Sequence, residues 1–324
     1  MRELTYVDAL GEALREEMHR DERVVLLGEE IGVFEGAYKV TKGLLKEFGP
    51  TRVMDTPISE AAIAGAAIGA ALAGLRPVAE IMYMDFLPLC LDQIATQAAK
   101  MHFMSGGKLR VPMVLRTQYS LGRVHGSQHS QFFPSWFFQV PGIQVVLAST
   151  PGDAKGLLKA SIREESPTIF IESAMLYRTK GPVPEGDYVI PLGKCDVKRK
   201  GDDLTIVAVS RVVNEALSAA VKLEEQGVGA EVIDPRTIQP LDLDTIVESV
   251  GRTGRLMIAS DDVKSGGIGS EIAATMVEEA FDLLDAPILR VACSNMPIPF
   301  SPTLEHEYMP NADKIVQAAK KLFA

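Results

Sequence analysis

Apolar, β-branched runs alternate with helix-period segments along the whole chain. Val24–Leu27, Pro77–Met84, Val111–Arg116, Ile143–Ala148 and Thr168–Ile171 read as strands, and between them the spacing predicts helices near 5–19, 60–74, 88–104 and 152–164. A second series begins after residue 200. Its strands are Leu204–Val209, Ala230–Ile233, Arg255–Ala259 and Ile288–Val291, and its helices lie near 212–226, 242–252, 269–284 and 311–323. Strands written as continuous apolar runs are buried on both faces, which predicts parallel sheets covered by helices. Ser210, just ahead of the first helix of the second series, is the expected N-cap.

The stretch Thr179–Asp203 separates the two series and holds Pro182, Pro184 and Pro191 with Gly181, Gly186, Gly193 and Gly201. That concentration of breakers marks a linker. The chain is therefore read as two α/β domains, 1–185 and 201–324, joined by 186–200. No 20–50-residue repeat stands out. Ala61–Leu75 carries no charge, but its 15 residues, mostly Ala and Gly, are too few and too weakly apolar to cross a bilayer. A helix apolar all round is expected to be buried. Ala61, Gly65, Gly69 and Ala73 recur every four residues, a stripe of small side chains suited to close packing across a subunit interface.

Composition narrows the field. With 47% hydrophobic and 23% charged residues over 324 positions, the chain can bury a sizeable core and is not a disordered segment. A formal net charge of −10 repels phosphate backbones, so no nucleic-acid partner is expected. Cys90, Cys195 and Cys293 are far apart and form no CxxC pair, which supports neither a zinc site nor a disulfide framework. The start, MRELTYVDALGEALREEMHRD, is charged and amphipathic rather than of signal-peptide type, so a cytoplasmic protein with no membrane partner is expected.

Common nucleotide and hydrolase motifs are missing: no GxxxxGK[ST], no GxGxxG after a strand and no GxSxG. Gly266-Gly267-Ile268-Gly269 ahead of a helix fits an anion site or a tight strand-to-helix turn, and the turn is preferred. Among five histidines, His19 and His306 sit in charged surroundings, and His102 ends a helical stretch. His125 and His129 lie in GRVHGSQHSQ, beside Phe132, Phe133, Trp136, Phe137 and Phe138. Two readings stay open there: a histidine tuned by an apolar wall for proton transfer, or a loop held by histidine–backbone bonds. Glu60 in DTPISE immediately precedes the uncharged helix. It is either a simple N-terminal helix charge or a partly buried, chemically useful carboxylate.

DTPISE (55–60), GLRPVAEIMYMDF (74–86), MSGGK (104–108), QHSQ (128–131), DAKGLL (153–158), DPRTIQPLD (234–242), TGRLMIASDD (253–262) and DAPILRV (285–291) occur in this order. Together they resemble the β subunit of the thiamine-diphosphate-dependent decarboxylase component of 2-oxo acid dehydrogenase complexes, from about residue 3 to residue 320. The resemblance implies a transketolase-like pyrimidine-binding domain followed by a transketolase C-terminal-like domain, each with a mainly parallel sheet. It also implies that this chain carries half of a cofactor site. The diphosphate and magnesium would be held by a GDG-bearing α subunit in an α2β2 heterotetramer, and this chain has no GDG.

By the same resemblance, Glu60 matches a glutamate that hydrogen-bonds the cofactor's aminopyrimidine and activates it. Phe86 and Met82 match positions that line that ring, and His129 matches a histidine that assists acyl transfer to a lipoyl domain on the dihydrolipoyl acyltransferase core. The implied reaction is oxidative decarboxylation of a 2-oxo acid. EIMYMDF and HSQFFPSW depart from branched-chain members, while GAYKV and the aromatic run lean towards pyruvate. DLLDAPILRV and PIPFSPTLE lean equally towards acetoin dehydrogenases. Pyruvate is favoured; acetoin, a branched-chain acid and a non-catalytic assembly role are the alternatives. His125, where relatives often carry a small residue, and bulky Phe132 and Phe133 fit neither pattern.

Overall fold

The computed structural model describes residues 1–323. The chain divides into two compact units. The first comprises Met1–Ser120 with Trp136–Leu192, and the second Leu121–Ser135 with 193–323.

The first unit contains β1 (Arg2–Thr5), α1 (Tyr6–Arg20), β2 (Val24–Gly28), α2 (Leu44–Phe48), β3 (Val53–Asp55), α3 (Glu60–Leu72), β4 (Arg76–Ile81), α4 (Ala99–Met104), β5 (Val114–Tyr119), β6 (Gln144–Leu147), α5 (Pro151–Arg163), β7 (Thr168–Ser173) and β8 (Lys180–Val183). Strands lie side by side in the order β6-β7-β5-β4-β2-β3, all parallel, and β1 pairs antiparallel with β8. Thr5 caps α1 by accepting the Asp8 N–H, and Thr150 caps α5 by accepting that of Asp153. Leu10, Leu14 and Met18 of α1 and Leu157, Leu158 and Ile162 of α5 fill one core with Leu26, Val78, Val114 and Phe170 of the sheet.

Three expectations need correction. The strands are not purely apolar. Arg116 on β5, 3% exposed, bonds Glu172 of β7 through two N–H groups at 2.8 and 3.0 Å and Glu80 of β4 at 2.7 Å, and Tyr177 donates to Glu172 at 2.7 Å. The predicted helix at 88–104 is instead a 3₁₀ stretch, Met84–Cys90, a π-type stretch, Asp92–Ala98, and then α4. Pro88, which has no N–H to donate, sits inside the first piece. Lastly, α3 is not buried all round. Ile63, Ala64, Ala67, Ile68 and Ala71 are buried, whereas Ala62, Ala66, Gly69 and Ala73 are exposed, and a Cβ on Gly69 would meet nothing within 4 Å.

The second unit contains β9 (Asp196–Arg199), β10 (Leu204–Ala208), α6 (Val212–Glu224), β11 (Ala230–Asp234), β12 (Thr237–Gln239), α7 (Leu243–Thr253), β13 (Leu256–Val263), α8 (Ile268–Ala280), β14 (Leu289–Cys293), α9 (Pro302–Tyr308) and α10 (Ala312–Lys320). Five of its strands lie in the order β14-β13-β10-β11-β9, and only β9 is antiparallel to its neighbour. Two α/β units with mainly parallel sheets are what the alternating pattern predicted. Alanine-rich α6 and α10 pack over this sheet. Ser210 is not the N-cap of α6. It lies at φ +56, Arg211 takes the cap position without a side-chain bond, and the first turn closes on the carbonyls of Val209 and Ser210.

Candidate active-site edge and histidine loop

The sheet order of the first unit has the feature at which open parallel sheets form their crevice. From β2 the chain passes to β3 on one side and then to β4 on the other, so the winding reverses beside β2. In an open parallel sheet the crevice forms at that reversal, outside the carboxyl ends of the strands. Glu29 directly follows β2, Glu60 opens α3 after β3, and Met82 and Phe86 follow β4. Three connections thus bring Glu29, Glu60, Met82 and Phe86 to one edge, each partly buried.

Glu60 is the first residue of α3, and Ser59 before it makes no side-chain capping bond. A carboxylate at that position is stabilised by the helix dipole. Its charge reaches two neighbours. Burial pushes the Glu29 carboxyl up, and the charges of Glu60, Glu30 and Glu80 push it further. Burial, reinforced by Glu60, also pushes the Cys90 thiol up to about 12. Oε1 of Glu29 is buried with no hydrogen-bond partner among the described residues. A crowded pair of carboxylates with an orphaned oxygen is disposed to accept a hydrogen bond from a ligand N–H.

Asp55 of DTPISE builds this edge. Its two oxygens accept the N–H groups of Gly32 and Val33 at 2.6 and 2.9 Å, and Thr56 N–H reaches the Gly28 carbonyl at 3.0 Å. These bonds fasten the loop carrying Glu29 to the segment carrying Glu60. Gly28 lets the strands close in, since a Cβ there would lie 3.0 Å from the Glu80 carbonyl oxygen. Tyr83, held at φ +78, meets Phe86 edge-on at 6.3 Å, and its hydroxyl lies 3.4 Å from that of Tyr38.

His129 and His125 belong to the second unit, on the loop 121–135. Both are partly buried. Burial holds the His125 imidazole below the ordinary histidine value, helped by the charges of Arg123 and His129 and opposed by Glu305. The loop is fastened by Glu305, whose carboxylate accepts the N–H groups of Gly122 and Val124, and by Ser127, whose hydroxyl donates to the Ile298 carbonyl at 2.6 Å. The expected aromatic wall is divided. Phe132 and Phe137 are buried and Trp136 is 51% exposed, and the chain passes from the second unit to the first after Ser135. The Gly266 segment is a tight turn. Asp262 accepts the Ile268 N–H at the start of α8, and a Cβ on Gly267 would lie 2.4 Å from the Val263 carbonyl oxygen.

Glu29 and Glu305 were not singled out by the sequence. The signal available for Glu29 was its place directly after a buried strand. For Glu305 there was none, because its partners lie more than 180 residues away.

Residues 2–180 match the transketolase pyrimidine-binding domain and residues 193–315 the transketolase C-terminal domain. The chain is 46% identical to the β subunit of acetoin:2,6-dichlorophenolindophenol oxidoreductase of Bacillus subtilis, over 99% of this chain and 97% of that one. It is 46% identical to the 2-oxoisovalerate dehydrogenase β subunit of the same organism, over 98% of each. The chain belongs to the transketolase-like dehydrogenase β subunits. Within that family it is also 44% identical to the pyruvate dehydrogenase E1 β subunit of Rhizobium meliloti, over 99% of this chain and 70% of the relative. A split-gene transketolase solved as an inactive β4 tetramer shares the fold, with a TM-score of 0.82 at 22% identity over 98% of both chains. Among the described residues no helix is long and apolar enough to cross a membrane.

Proposed function

We propose that this β subunit, together with an α subunit in an α2β2 assembly, performs thiamine-diphosphate-dependent oxidative decarboxylation of a 2-oxo acid, pyruvate first. The acyl group passes to lipoamide on a dihydrolipoyl acyltransferase core. The observation that carries this reading is the placement of Glu29, Glu60, Met82 and Phe86 on the connections after β2, β3 and β4, at the carboxyl edge where the winding of the sheet reverses. That donor set fits an aminopyrimidine: a carboxylate for a ring nitrogen, an orphaned acceptor nearby, and an aromatic and a thioether for the ring faces.

Glu60 would hold a proton in a hydrogen bond to the ring nitrogen, in a place where water competes poorly. Thiamine diphosphate, when bound, supplies the electron sink for decarboxylation, with its diphosphate and magnesium on the α subunit. His129 would donate a proton to, or orient, the sulfur that receives the acyl group. We place the boundary between the pyrimidine-binding and C-terminal domains within 186–200, where the Pro- and Gly-rich stretch runs.

The relatives do not separate the substrates, since acetoin, branched-chain and pyruvate members stand within a few per cent of one another in identity. Co-expression with an α subunit, followed by assay of pyruvate, 2-oxobutyrate, branched-chain oxo acids and acetoin with an artificial electron acceptor, tests the choice. Pyruvate is expected to give the highest kcat/KM. A clear preference for branched-chain acids or for acetoin overturns that assignment. A purely structural subunit would show cofactor binding independent of Glu60 and Phe86.

A further inference from the structure

Helix α9 buries a carboxylate while an apolar side chain beside it faces outward. Leu304 is 58% exposed and Phe300, just ahead of the helix, is 73% exposed, while Glu305 is 2% exposed. A buried carboxylate persists only where hydrogen bonds replace its water. Both oxygens of Glu305 are so used: Oε1 accepts the Gly122 N–H at 3.0 Å and Oε2 the Val124 N–H at 2.9 Å. These are charge-assisted bonds, stronger than neutral ones.

The bonded backbone is strained. Val124 lies at φ +60, in the left-handed region that a β-branched residue adopts only when its surroundings over-determine it. The bond from its own N–H to Glu305 is one such constraint. On the other side of His125, Gly126 lies at φ +75, and a Cβ there would come within 3.1 Å of the Phe300 ring. Ser127 donates to the Ile298 carbonyl at 2.6 Å, and His129 N–H turns back to the Gly126 carbonyl at 3.4 Å. Ile298, Phe300 and Glu305 thus form a seat for the loop on which both histidines stand.

We propose that Glu305 is a positioning residue, which sets the backbone of residues 122–129 and so places His129, with His125, for acyl transfer. The proposal rests on the acyl-transfer reading of His129. Glu305, buried with both oxygens bonded to the loop backbone, acts through the loop.

The test uses the assembled α2β2 enzyme loaded with thiamine diphosphate and magnesium, in wild-type, Glu305→Gln and His129→Ala forms. Glutamine keeps the size of glutamate but sets an NH2 against one of the two loop N–H groups. For Glu305→Gln, transfer to lipoamide is expected to fall by roughly tenfold or more, as for a bond to a charged group lost at one end. Decarboxylation with an artificial acceptor should stay within a few-fold of wild type. Hydrogen exchange at the amides of residues 122–129 should speed up. Wild-type exchange in that loop, or wild-type transfer while His129→Ala is impaired, overturns the role of Glu305. If His129→Ala transfers normally while Glu305→Gln still loosens the loop, it is the reading of His129 that fails. A double variant, Val124→Gly with Glu305→Gln, adds a readout that a merely structural role would not move. With the strain removed, transfer should recover several-fold over Glu305→Gln alone, and additive losses contradict the proposal.

Discussion

At the scale of the residue, the carboxylates of the proposed site are set by where they are fastened. Glu60 gains its position from the start of α3, Glu29 from the end of β2, and Asp55 ties the two segments together. The place of Glu60 at the head of α3 was legible in the sequence, as the acid ahead of an uncharged stretch. Glu29 and Glu305 were not, because an acidic residue is normally solvated and only tertiary structure shows which ones are buried. His125 offers a measurable consequence. Its imidazole is held below the ordinary value of about 6.5, so the unfolded chain takes up a proton first as pH falls. Neutral His125 therefore contributes stability above about pH 6.5 that is lost as pH falls through its folded value. A histidine-resolved NMR titration should place its midpoint below about 6.5. A midpoint at or above about 6.5 contradicts the burial of His125.

At the scale of the element, the strands were the most legible part. Val24–Leu27 and Thr168–Ile171, read from β-branched runs, lie within β2 and β7. What the runs hid is the charge between them. Arg116 on β5 bridges Glu80 and Glu172 on the two neighbouring strands, a pairing that no single strand reveals. Replacing Arg116 with Met should cost about 3–5 kcal/mol, because two buried carboxylates lose their partner. Denaturant unfolding of the assembled protein measures it, and a loss below about 1 kcal/mol would mean that the carboxylates neutralise without the guanidinium. The helix pattern misled at 88–104, where Pro88 interrupts the backbone bonding that the periodicity presumes. On α3 the exposed face of Ala62, Ala66 and Gly69 is apolar and small. Gly69→Leu should leave the folding of the chain nearly unchanged, since nothing in it meets a side chain there, yet reduce assembly with the α subunit. Gel filtration with multi-angle light scattering reads this directly, and unimpaired assembly removes α3 from the interface.

At the scale of the whole molecule, two α/β units were legible from two series of alternating elements. The placement of 121–135 with the second unit was not. Those residues leave β5 and return to the first unit at Trp136, so proximity in sequence assigns them to the first. The contacts that override it are made by Ile298, Phe300 and Glu305, far along the chain. The histidine loop and the carboxylate edge therefore belong to different units.

We propose that this β subunit supplies the activating carboxylate of a site completed by another subunit. Turnover of pyruvate with an artificial acceptor by α2β2 carrying Glu60→Gln tests it most directly. Glutamine preserves size and assembly but cannot hold the proton, so turnover is expected to fall by roughly a hundredfold or more with the heterotetramer intact. Turnover within a few-fold of wild type would show that the carboxylate at the head of α3 is only a helix charge.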